Sequence, residues 1–381
     1  MKTSNHLLRR LTAALLAAVL ALSIALPVFA SDDGDTIYIN SVSDLLSLAK
    51  SCAYDQWSVG KTVILQKDLS LEGMLWEPIP SFSGQFKGNG HTISDLTITG
   101  QYSPAGLFGI VEEQGSIESL SVRGIVSVSD AADTTTGGIV GINHGTLINC
   151  QFTGVVTGDS EVGGIVGRNE SEGTIDHSTA RAIVTGKSST GGIAGYNLGA
   201  ITGCTNVGSI NTEYQEASLD TDGFTAKMVD QINNKIAAAD DDATNSVTNV
   251  ATDTGGIAGR SSGMILTSVN TGTVGYEHIG YNVGGIVGRT DGLVSGCVNQ
   301  GRVLGRKDVG GIAGQAEPYR ELDLSKDTIK RLRSELDVLR GLVDDTTGVV
   351  ENSTASISNS FSAMTSQMDT AIAAARQLDD Q

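Results

Sequence analysis

The sequence is poor in aromatic residues, cysteine and basic residues, and each shortage narrows the classes of protein to which it can belong. Its 381 residues include only 17 aromatic residues beside 48 glycines, a balance that argues against a compact enzyme domain. Four cysteines are too few for a domain that relies on disulfides. With 25 Lys and Arg residues against 43 Asp and Glu residues, the chain is a poor partner for nucleic acid or an anionic membrane.

Long apolar runs are also scarce, and the one present lies at the amino-terminal end. Lys2, Arg9 and Arg10 precede an apolar stretch at Leu11–Leu26, and small residues then lead to Ala30. The pattern predicts a secretory signal peptide over the first thirty residues, cleaved after Ala30, because a membrane span needs about 20 apolar residues. We therefore expect a secreted or bacterial cell-surface protein, whose formal net charge changes from −18 to −21 on cleavage.

The glycines recur in a tetrapeptide, Gly-apolar-apolar-Gly. Its seven copies lie at Gly106–Gly109, Gly138–Gly141, Gly164–Gly167, Gly192–Gly195, Gly256–Gly259, Gly285–Gly288 and Gly311–Gly314. Successive copies are 32, 26, 28, 64, 29 and 26 residues apart, and the long step contains an acidic, Gly-poor segment over residues 212–253. The chain is therefore one repeated unit with one large insertion.

Three further columns keep one chemical type from unit to unit. The first is apolar and comprises Ile117, Leu147, Ile175, Ile201, Ile265 and Val294. The second comprises Leu120, Cys150, Ser178, Cys204, Ser268 and Cys297, and the third comprises Val126, Val156, Val184, Ile210, Val274 and Val303. Short β-branched runs between Gly and Asn-x-Gly sequences indicate three short strands per unit, joined by tight turns.

Such a unit cannot bury an apolar face alone, so it must stack on copies of itself. We predict an all-β, right-handed parallel β-helix of about seven coils over residues 31–316. A β-propeller is the weaker alternative, because its blades are longer and usually carry aromatic markers.

The segment Gly138–Cys150 and its counterpart Gly192–Ile201 resemble the GLUG motif of bacterial surface and secreted proteins. Trp76–Gly109 resembles the opening coils that precede such repeats. The resemblance implies a fold and a surface setting more than an activity. GLUG repeats also accompany streptococcal immunoglobulin A peptidases, but zinc catalysis of that kind needs two His residues at i and i+4. No such pair occurs among the five histidines, which are His6, His91, His144, His177 and His278.

The column that contains Cys150, Cys204 and Cys297 predicts free thiols. A serine separates successive cysteines, so their Cα atoms would lie about 9.6 Å apart or more, given coils about 4.8 Å apart. A disulfide needs a separation below about 7 Å. We therefore expect three free, buried thiols, and a free thiol at Cys52.

Two sets of polar residues are candidates for chemistry. A polysaccharide lyase would need carboxylates and a base, and the nearest candidates are Asp159 and Glu161, with Lys187, Arg306, Lys307 and Asp308 at related positions. Because Asp159 and Glu161 face no matching column of acids, we expect solvated turn residues here. A second set, Asn143, Asn169 and Asn197, is followed by Ser261 and Thr290, and an amide ladder is favoured over a sugar-binding row. We predict no catalytic residues, metal ligands or cofactor.

Helices are predicted outside the repeats. A short helix at Ser41–Ser51 would cap the amino-terminal end. In the insertion, Phe224, Met228, Ile232 and Ile236 recur every four residues and predict an amphipathic helix that rests on the solenoid wall or on the tail.

The tail, residues 317–381, is a predicted coiled-coil arm. Its heptad positions are Leu322, Ile329, Leu336, Val343, Val350, Ile357, Met364, Ala371 and Leu378. A straight helix and a hairpin bent near residues 344–348 both remain open. The missing stop signal at Gln381 is expected of a truncated chain or of an arm without its antiparallel return.

The leading functional hypothesis is a non-catalytic, secreted or cell-surface scaffold for adhesion or recognition of an extracellular protein or glycan. One alternative is a carbohydrate-active β-helix enzyme resembling a polysaccharide lyase. Another is an oligomeric spacer that self-associates through the carboxy-terminal helix. Nucleic acid is excluded as a partner by the acidic charge.

Overall fold

A computed structural model describes residues 35–54, 56–128, 134–212, 224–234 and 251–317, together with Ser366. The chain divides into two compact units, Met1–Pro318 and Tyr319–Gln381. The predicted signal peptide and the predicted coiled-coil arm lie outside the described residues, Ser366 excepted. Across the described ranges, no helix combines the length and the apolar character needed to cross a membrane.

The described chain winds into a parallel β-solenoid of about nine turns, whose wall consists of four sheets. Sheet A has nine described strands: Thr36–Ile39, Thr62–Leu65, Gln85–Lys87, Ser116–Glu118, Thr146–Ile148, Thr174–Asp176, Ala200–Thr202, Met264–Leu266 and Leu293–Ser295. Sheet B has nine described strands: Leu69–Ser70, Thr92–Gly100, Ser121–Val128, Gln151–Thr157, Thr179–Thr185, Thr205–Asn206, Ser209–Ile210, Val269–Asn270 and Val298–Asn299.

The other two sheets complete the wall. Sheet C has eight described strands: Ile79–Phe82, Phe108–Val111, Val140–Asn143, Val166–Asn169, Ala194–Asn197, Ala258–Ser261, Val287–Thr290 and Ala313–Ala316. Sheet D has six described strands: Thr136–Gly137, Ser160–Gly163, Ser188–Gly191, Thr252–Gly255, Tyr281–Gly284 and Lys307–Gly310. Each strand pairs in parallel with its equivalent one coil away, which confirms the predicted parallel stacking.

Three details of the prediction are wrong. There are about nine coils rather than seven, because the first three strands of sheet A precede the first glycine tetrapeptide. A regular coil has four strands rather than three, because the tetrapeptide is the corner between sheets D and C: Ser160–Gly163 ends at the first glycine pair and Val166–Asn169 begins after it. The insertion ends before residue 253, because Thr252–Gly255 is already a strand of sheet D.

The first and third predicted columns are confirmed by the strand register, and the second by hydrogen bonds from the Cys150 and Cys204 amides to the serines of the adjacent coils. Leu147 pairs with Ile117 on one side and Ile175 on the other, and both neighbours point into the same core. Ile210 continues the third column, because it pairs with Val184 and bridges to Val274. Side chains that alternate between core and solvent hold this register, since a shift by one residue would turn every apolar side chain outward.

The core changes character along the solenoid axis. Phe82, Phe86 and Phe108 form a buried aromatic cluster in the opening coils, with ring centroids 5.4–6.3 Å apart. Trp76 is buried nearby and donates a hydrogen bond from Nε1 to the Leu107 carbonyl at 3.1 Å. In later coils, such as that of Ile201 and Ala194, aliphatic side chains fill the interior.

A helix, α1, occupies Val42–Ser51 near the first strands of sheets A and C. Ser41 is its N-cap, and its Oγ accepts a hydrogen bond from the Asp44 amide at 3.2 Å. The Asp44 carboxylate in turn accepts from the Asn40 amide at 2.9 Å, which lowers the pKa of that carboxyl. The buried side chains of Leu45 and Leu48 join α1 to the core.

A second helix, α2, covers residues 226–234 of the insertion. Met228 and Ile232 are buried against Ile125, Val155 and Ile183, three outward-facing residues of sheet B. The described part of the insertion therefore folds back over coils that precede it in the chain, whereas Ile236 lies outside the described residues.

Candidate functional site

Asp159 and Glu161, the two carboxylates that the sequence suggested for a lyase, each have a cationic partner. Lys187 Nζ lies 2.7 Å from Asp159 Oδ1 in the adjacent coil. Glu161 accepts from Arg168 Nε at 2.8 Å and also from a terminal guanidinium nitrogen of the same residue. Because each carboxylate already has a cationic partner, these residues do not form the convergent acid and base set that a lyase requires.

Glu161 faces no acid in the next coil, as expected, but it belongs to a column of mixed polar residues that was not recognised from the sequence. Sheet D pairs Ser160 with Ser188 and Val162 with Thr190, which places Glu161 level with Ser189. The same register extends through Asp253 and Asn282 to Asp308. These five residues, here called the left-handed column, all adopt positive φ, between 47° and 56°.

Within that column, Asn282 Nδ2 donates to Asp253 Oδ1 at 2.6 Å. Asp253, Asn282 and Ser189 are half-buried. The column thus presents carboxylate, hydroxyl and amide groups from successive coils along one edge of the solenoid.

Beside it runs a row of outward-facing side chains on sheet C, here called the arginine–tyrosine row. The register aligns Arg168, Tyr196, Arg260, Arg289 and Gln315, each half-buried, in five consecutive coils. Because parallel strands lie about 4.8 Å apart, neighbouring members of the row are within contact distance.

Tyr196 lies between two guanidinium groups. The Cζ atoms of Arg168 and Arg260 are 5.7 Å and 5.2 Å from its ring centroid, both within the range of a cation–π contact. The Tyr196 hydroxyl lies 3.4 Å from Ser262 Oγ in the next coil. The ring therefore restrains both guanidinium groups.

The three arginines of the row differ in their ionic partners. Arg168 is paired with Glu161, and Arg289 donates to Glu317 from Nε at 2.9 Å. These hydrogen bonds raise the pKa of both arginines. Arg260 makes no ion pair within the described part of the chain, so the row holds one guanidinium that is oriented but not neutralised.

The asparagine column is an amide ladder, as the sequence favoured. Asn143 Nδ2 donates to Asn169 Oδ1, and Asn169 Nδ2 donates to Asn197 Oδ1, both at 2.8 Å. Asn197 then donates to Ser261 Oγ at 3.0 Å. All four side chains are fully buried, which contradicts their interpretation as a sugar-binding row.

A second ladder was missed. Asn206, Asn270 and Asn299 are linked by amide hydrogen bonds of 2.8 Å, and Asn270 Nδ2 also bonds the Gly272 carbonyl at 3.0 Å. The Asn-x-Gly spacing indicated only turns, although the recurrence of the same amide every coil was visible in the sequence.

All four cysteines are free, as expected. Burial raises the pKa of Cys52 to about 11 and that of Cys150 and Cys204 to about 12. Cys297 is half-buried rather than buried, because it lies in the last described turn of the column. The raised pKa values keep the thiols of Cys52, Cys150 and Cys204 protonated and unreactive.

A small cavity and a buried carboxylate lie where α2 meets the solenoid wall. A cavity of about 130 Å³ lies between α2 and the wall. Beside it, buried Asp95 accepts hydrogen bonds from the hydroxyls of Ser70, Ser94 and Thr225, and thereby fastens the start of α2. Among the described residues, no group of three or more His, Cys, Asp or Glu side chains could hold a metal ion.

Similarity to known proteins is partial. No family model matches the chain. Halomucin from Haloquadratum walsbyi is 32% identical over 155 residues, which cover 37% of this chain. A candidate Gly-rich membrane protein from Evansella cellulosilytica is 29% identical over 137 residues, which cover 26% of this chain. The chain spans only 2% and 16% of the lengths of these two relatives.

Among solved structures, a candidate immunoglobulin A1 protease from Bacteroides ovatus has a TM-score of 0.48 and 18% identity to this chain. The match covers 75% of this chain and 85% of that one. The resemblance to GLUG proteins stays a prediction from the motifs.

Proposed function

We propose that this protein is a secreted or cell-surface scaffold of the GLUG type, which recognises an extracellular ligand without transforming it. The observation that carries the proposal is the arginine–tyrosine row, a set of oriented polar groups on the outside of a wall whose interior is fully packed. Arg260 is its central group, because it stacks on Tyr196 at 5.2 Å and forms no ion pair in the described ranges.

The location rests on two supports. The predicted signal peptide directs the chain out of the cytoplasm, with cleavage after Ala30. One relative is named as a membrane protein, which is in keeping with an envelope setting.

The absence of catalysis is part of the proposal. A lyase needs a free base beside carboxylates, whereas Lys187 is held by Asp159 and Arg168 is held by Glu161. The fully buried thiols of Cys150 and Cys204 have a pKa of about 12, so they are poor nucleophiles.

A polysaccharide lyase is the second candidate, and one observation favours it. Asp253 and Asn282, from adjacent coils, are joined at 2.6 Å in the column beside Arg260, so carboxylate, amide and guanidinium groups share one edge. A lyase site on a solenoid would need groups from at least two coils to meet, and this arrangement provides them, although it supplies no neutral base.

One experiment separates the two. The chain without its signal peptide is incubated with a panel of extracellular polysaccharides and proteins, and both retention and product formation are measured. We expect retention of at least one ligand with no change in its chain length. Product formation that is lost in an Asp253→Asn variant would replace the scaffold proposal with the lyase.

Self-association through residues 317–381 belongs to the same proposal. Sedimentation of the chain with and without this segment tests it, and an unchanged mass after the deletion would exclude the tail as the means of association.

A further inference from the structure

We propose that Arg260 is the anchor of a site for the anionic groups of an acidic polysaccharide, namely its carboxylates or sulfates. The inference rests on the proposed function and specifies the ligand class of the arginine–tyrosine row.

The row itself shows what its arginines bind. Arg168 binds both carboxylate oxygens of Glu161 through Nε and a terminal nitrogen, whereas Nε and a terminal nitrogen of Arg289 both donate to Oε1 of Glu317. An arginine at this outward position of sheet C therefore has the geometry to take a carboxylate, and two of the three take one from their own chain.

Among the described residues Arg260 has no such partner, for a reason that the register explains. Glu161 stands seven residues before Arg168, and the residue seven positions before Arg260 is Asp253. Asp is one methylene shorter than Glu, and the Asp253 carboxylate accepts from Asn282 Nδ2 at 2.6 Å instead. Within the described ranges, the coil of Arg260 thus repeats the arrangement without a carboxylate that reaches the guanidinium.

Stacking prepares the group for binding. The Tyr196 ring lies 5.2 Å from Arg260 Cζ, and it limits the rotamers that the long side chain explores. Since the guanidinium is a planar fork that binds carboxylate or sulfate through two parallel hydrogen bonds, fixing its plane reduces the entropy lost on binding.

The neighbouring groups suit a polysaccharide better than a protein. Ser262, Ser189 and Asn282 offer hydrogen-bond donors and acceptors on both sides of the row, which is what sugar hydroxyls require. A stable protein interface would instead need a cluster of buried aromatic and apolar anchors, and the row contains one aromatic residue. Coils about 4.8 Å apart also repeat the polar groups along a line, as an extended polymer does.

The overall charge makes the proposal specific. The chain carries a formal net charge of −18, so a polyanion gains no general attraction to it. Binding must come from short-range contacts, and it should depend on one guanidinium rather than on the number of basic residues.

The test uses the whole chain without its signal peptide and four polymers: polygalacturonate, its methyl ester, dextran sulfate and dextran. Affinity electrophoresis and titration calorimetry measure binding to the wild type and to five variants. Arg260→Gln removes the charge, Arg260→Lys keeps the charge without the planar fork, and Arg181→Gln removes an exposed arginine from sheet B as the matched control. Tyr196→Phe keeps the ring, and Tyr196→Leu removes it.

We expect binding to polygalacturonate or to dextran sulfate and none to the uncharged polymers. Which of the two charged polymers binds shows whether the site takes a carboxylate or a sulfate. Arg260→Gln should weaken binding by about tenfold or more, since a charge-assisted hydrogen bond contributes at least that factor. The affinity of Arg260→Lys should lie between those of the wild type and Arg260→Gln. Tyr196→Leu should weaken binding, whereas Tyr196→Phe and Arg181→Gln should leave it unchanged. Thermal unfolding confirms that every variant is folded.

Two results would overturn the inference. If Arg260→Gln and Arg181→Gln weaken binding equally, the protein binds anions through its basic residues in general and not at a site built around Arg260. If dextran or the methyl ester binds as tightly as the charged polymers, the anionic class is wrong while recognition of a glycan stands. Loss of binding to every polymer and protein tested would instead remove the proposed function itself.

Discussion

The amide ladder provides the sharpest test of how the solenoid is held together, through the substitution Asn169→Ala. The Asn169 side chain donates to Asn197 Oδ1 at 2.8 Å and to the Gly173 carbonyl at 3.0 Å, and it accepts from Asn143 at 2.8 Å. Alanine would remove all three hydrogen bonds from a fully buried position.

The cost follows from which atoms lose their partners. The Gly173 carbonyl keeps a hydrogen bond from the Ala200 amide at 3.0 Å, and Asn143 Nδ2 keeps one to the Gly145 carbonyl at 3.1 Å. Asn197 Oδ1 and one amide proton of Asn143 are left unsatisfied. Each buried unsatisfied group costs about 1–3 kcal/mol, so we expect a loss of about 2–6 kcal/mol.

Urea unfolding followed by circular dichroism measures the loss, with two reference variants. Asn299→Ala, at the half-buried end of the second ladder, removes the hydrogen bonds to Asn270 and Gly301 but should lose only about 1 kcal/mol, because water can reach the groups that are left without a partner. Asn169→Ser should recover part of the stability, because Ser261 already serves as a ladder member. Equal unfolding midpoints for Asn169→Ala and Asn299→Ala would refute the argument that Asn169→Ala leaves two buried polar groups without partners.

Three further predictions follow from packing and from the thiols. At pH 8, iodoacetamide should label Cys297 before the buried Cys150 and Cys204, and labelling at equal rates would contradict their burial. Because burial raises the pKa of Cys150 and Cys204 to about 12, the stability that their neutral thiols contribute is intact below pH 9 and is lost as the pH rises towards 12, which alkaline unfolding measures. Gly192→Ala should lower the free energy of unfolding by more than about 1 kcal/mol, because the new Cβ would overlap a backbone carbonyl of the next coil. An unchanged urea midpoint would mean that the backbone at this corner can move to make room. Ile232→Asp should release α2 from sheet B and speed tryptic cleavage of the insertion by about tenfold, since a buried unpaired charge costs several kcal/mol, whereas an unchanged rate would show that α2 is held by other contacts.

The interior of the repeats could be predicted from the sequence because only one chemical type fits each inward position. Ile201 and Cys204 were assigned to the correct columns, since both side chains point into a packed core that excludes charged side chains. The predicted number of coils was too low because it was taken from the glycine tetrapeptides. The opening coils need no such tetrapeptide, since Phe82 and Trp76 fill their core.

The outer features could not be predicted by the same reasoning. Glu161, Ser189 and Asp253 share a backbone conformation rather than a side-chain type, so a search for chemically uniform columns passes over them. The arginine–tyrosine row is a column of unlike residues, and its significance lies in which arginines have acidic partners. Glu317 neutralises Arg289 from 28 positions away, a pairing that only the folded coils reveal.

The uneven distribution of aromatic residues along the axis bears on the order in which the molecule assembles. A chain emerges amino end first, and the cluster of Phe82, Phe86 and Phe108 lies in the coils that appear earliest. Those coils bury the largest side chains and can form a nucleus before the glycine-rich units follow. Each later unit then finds a finished edge on which to pair, so growth is templated in one direction and the slow search for long-range parallel pairing is avoided.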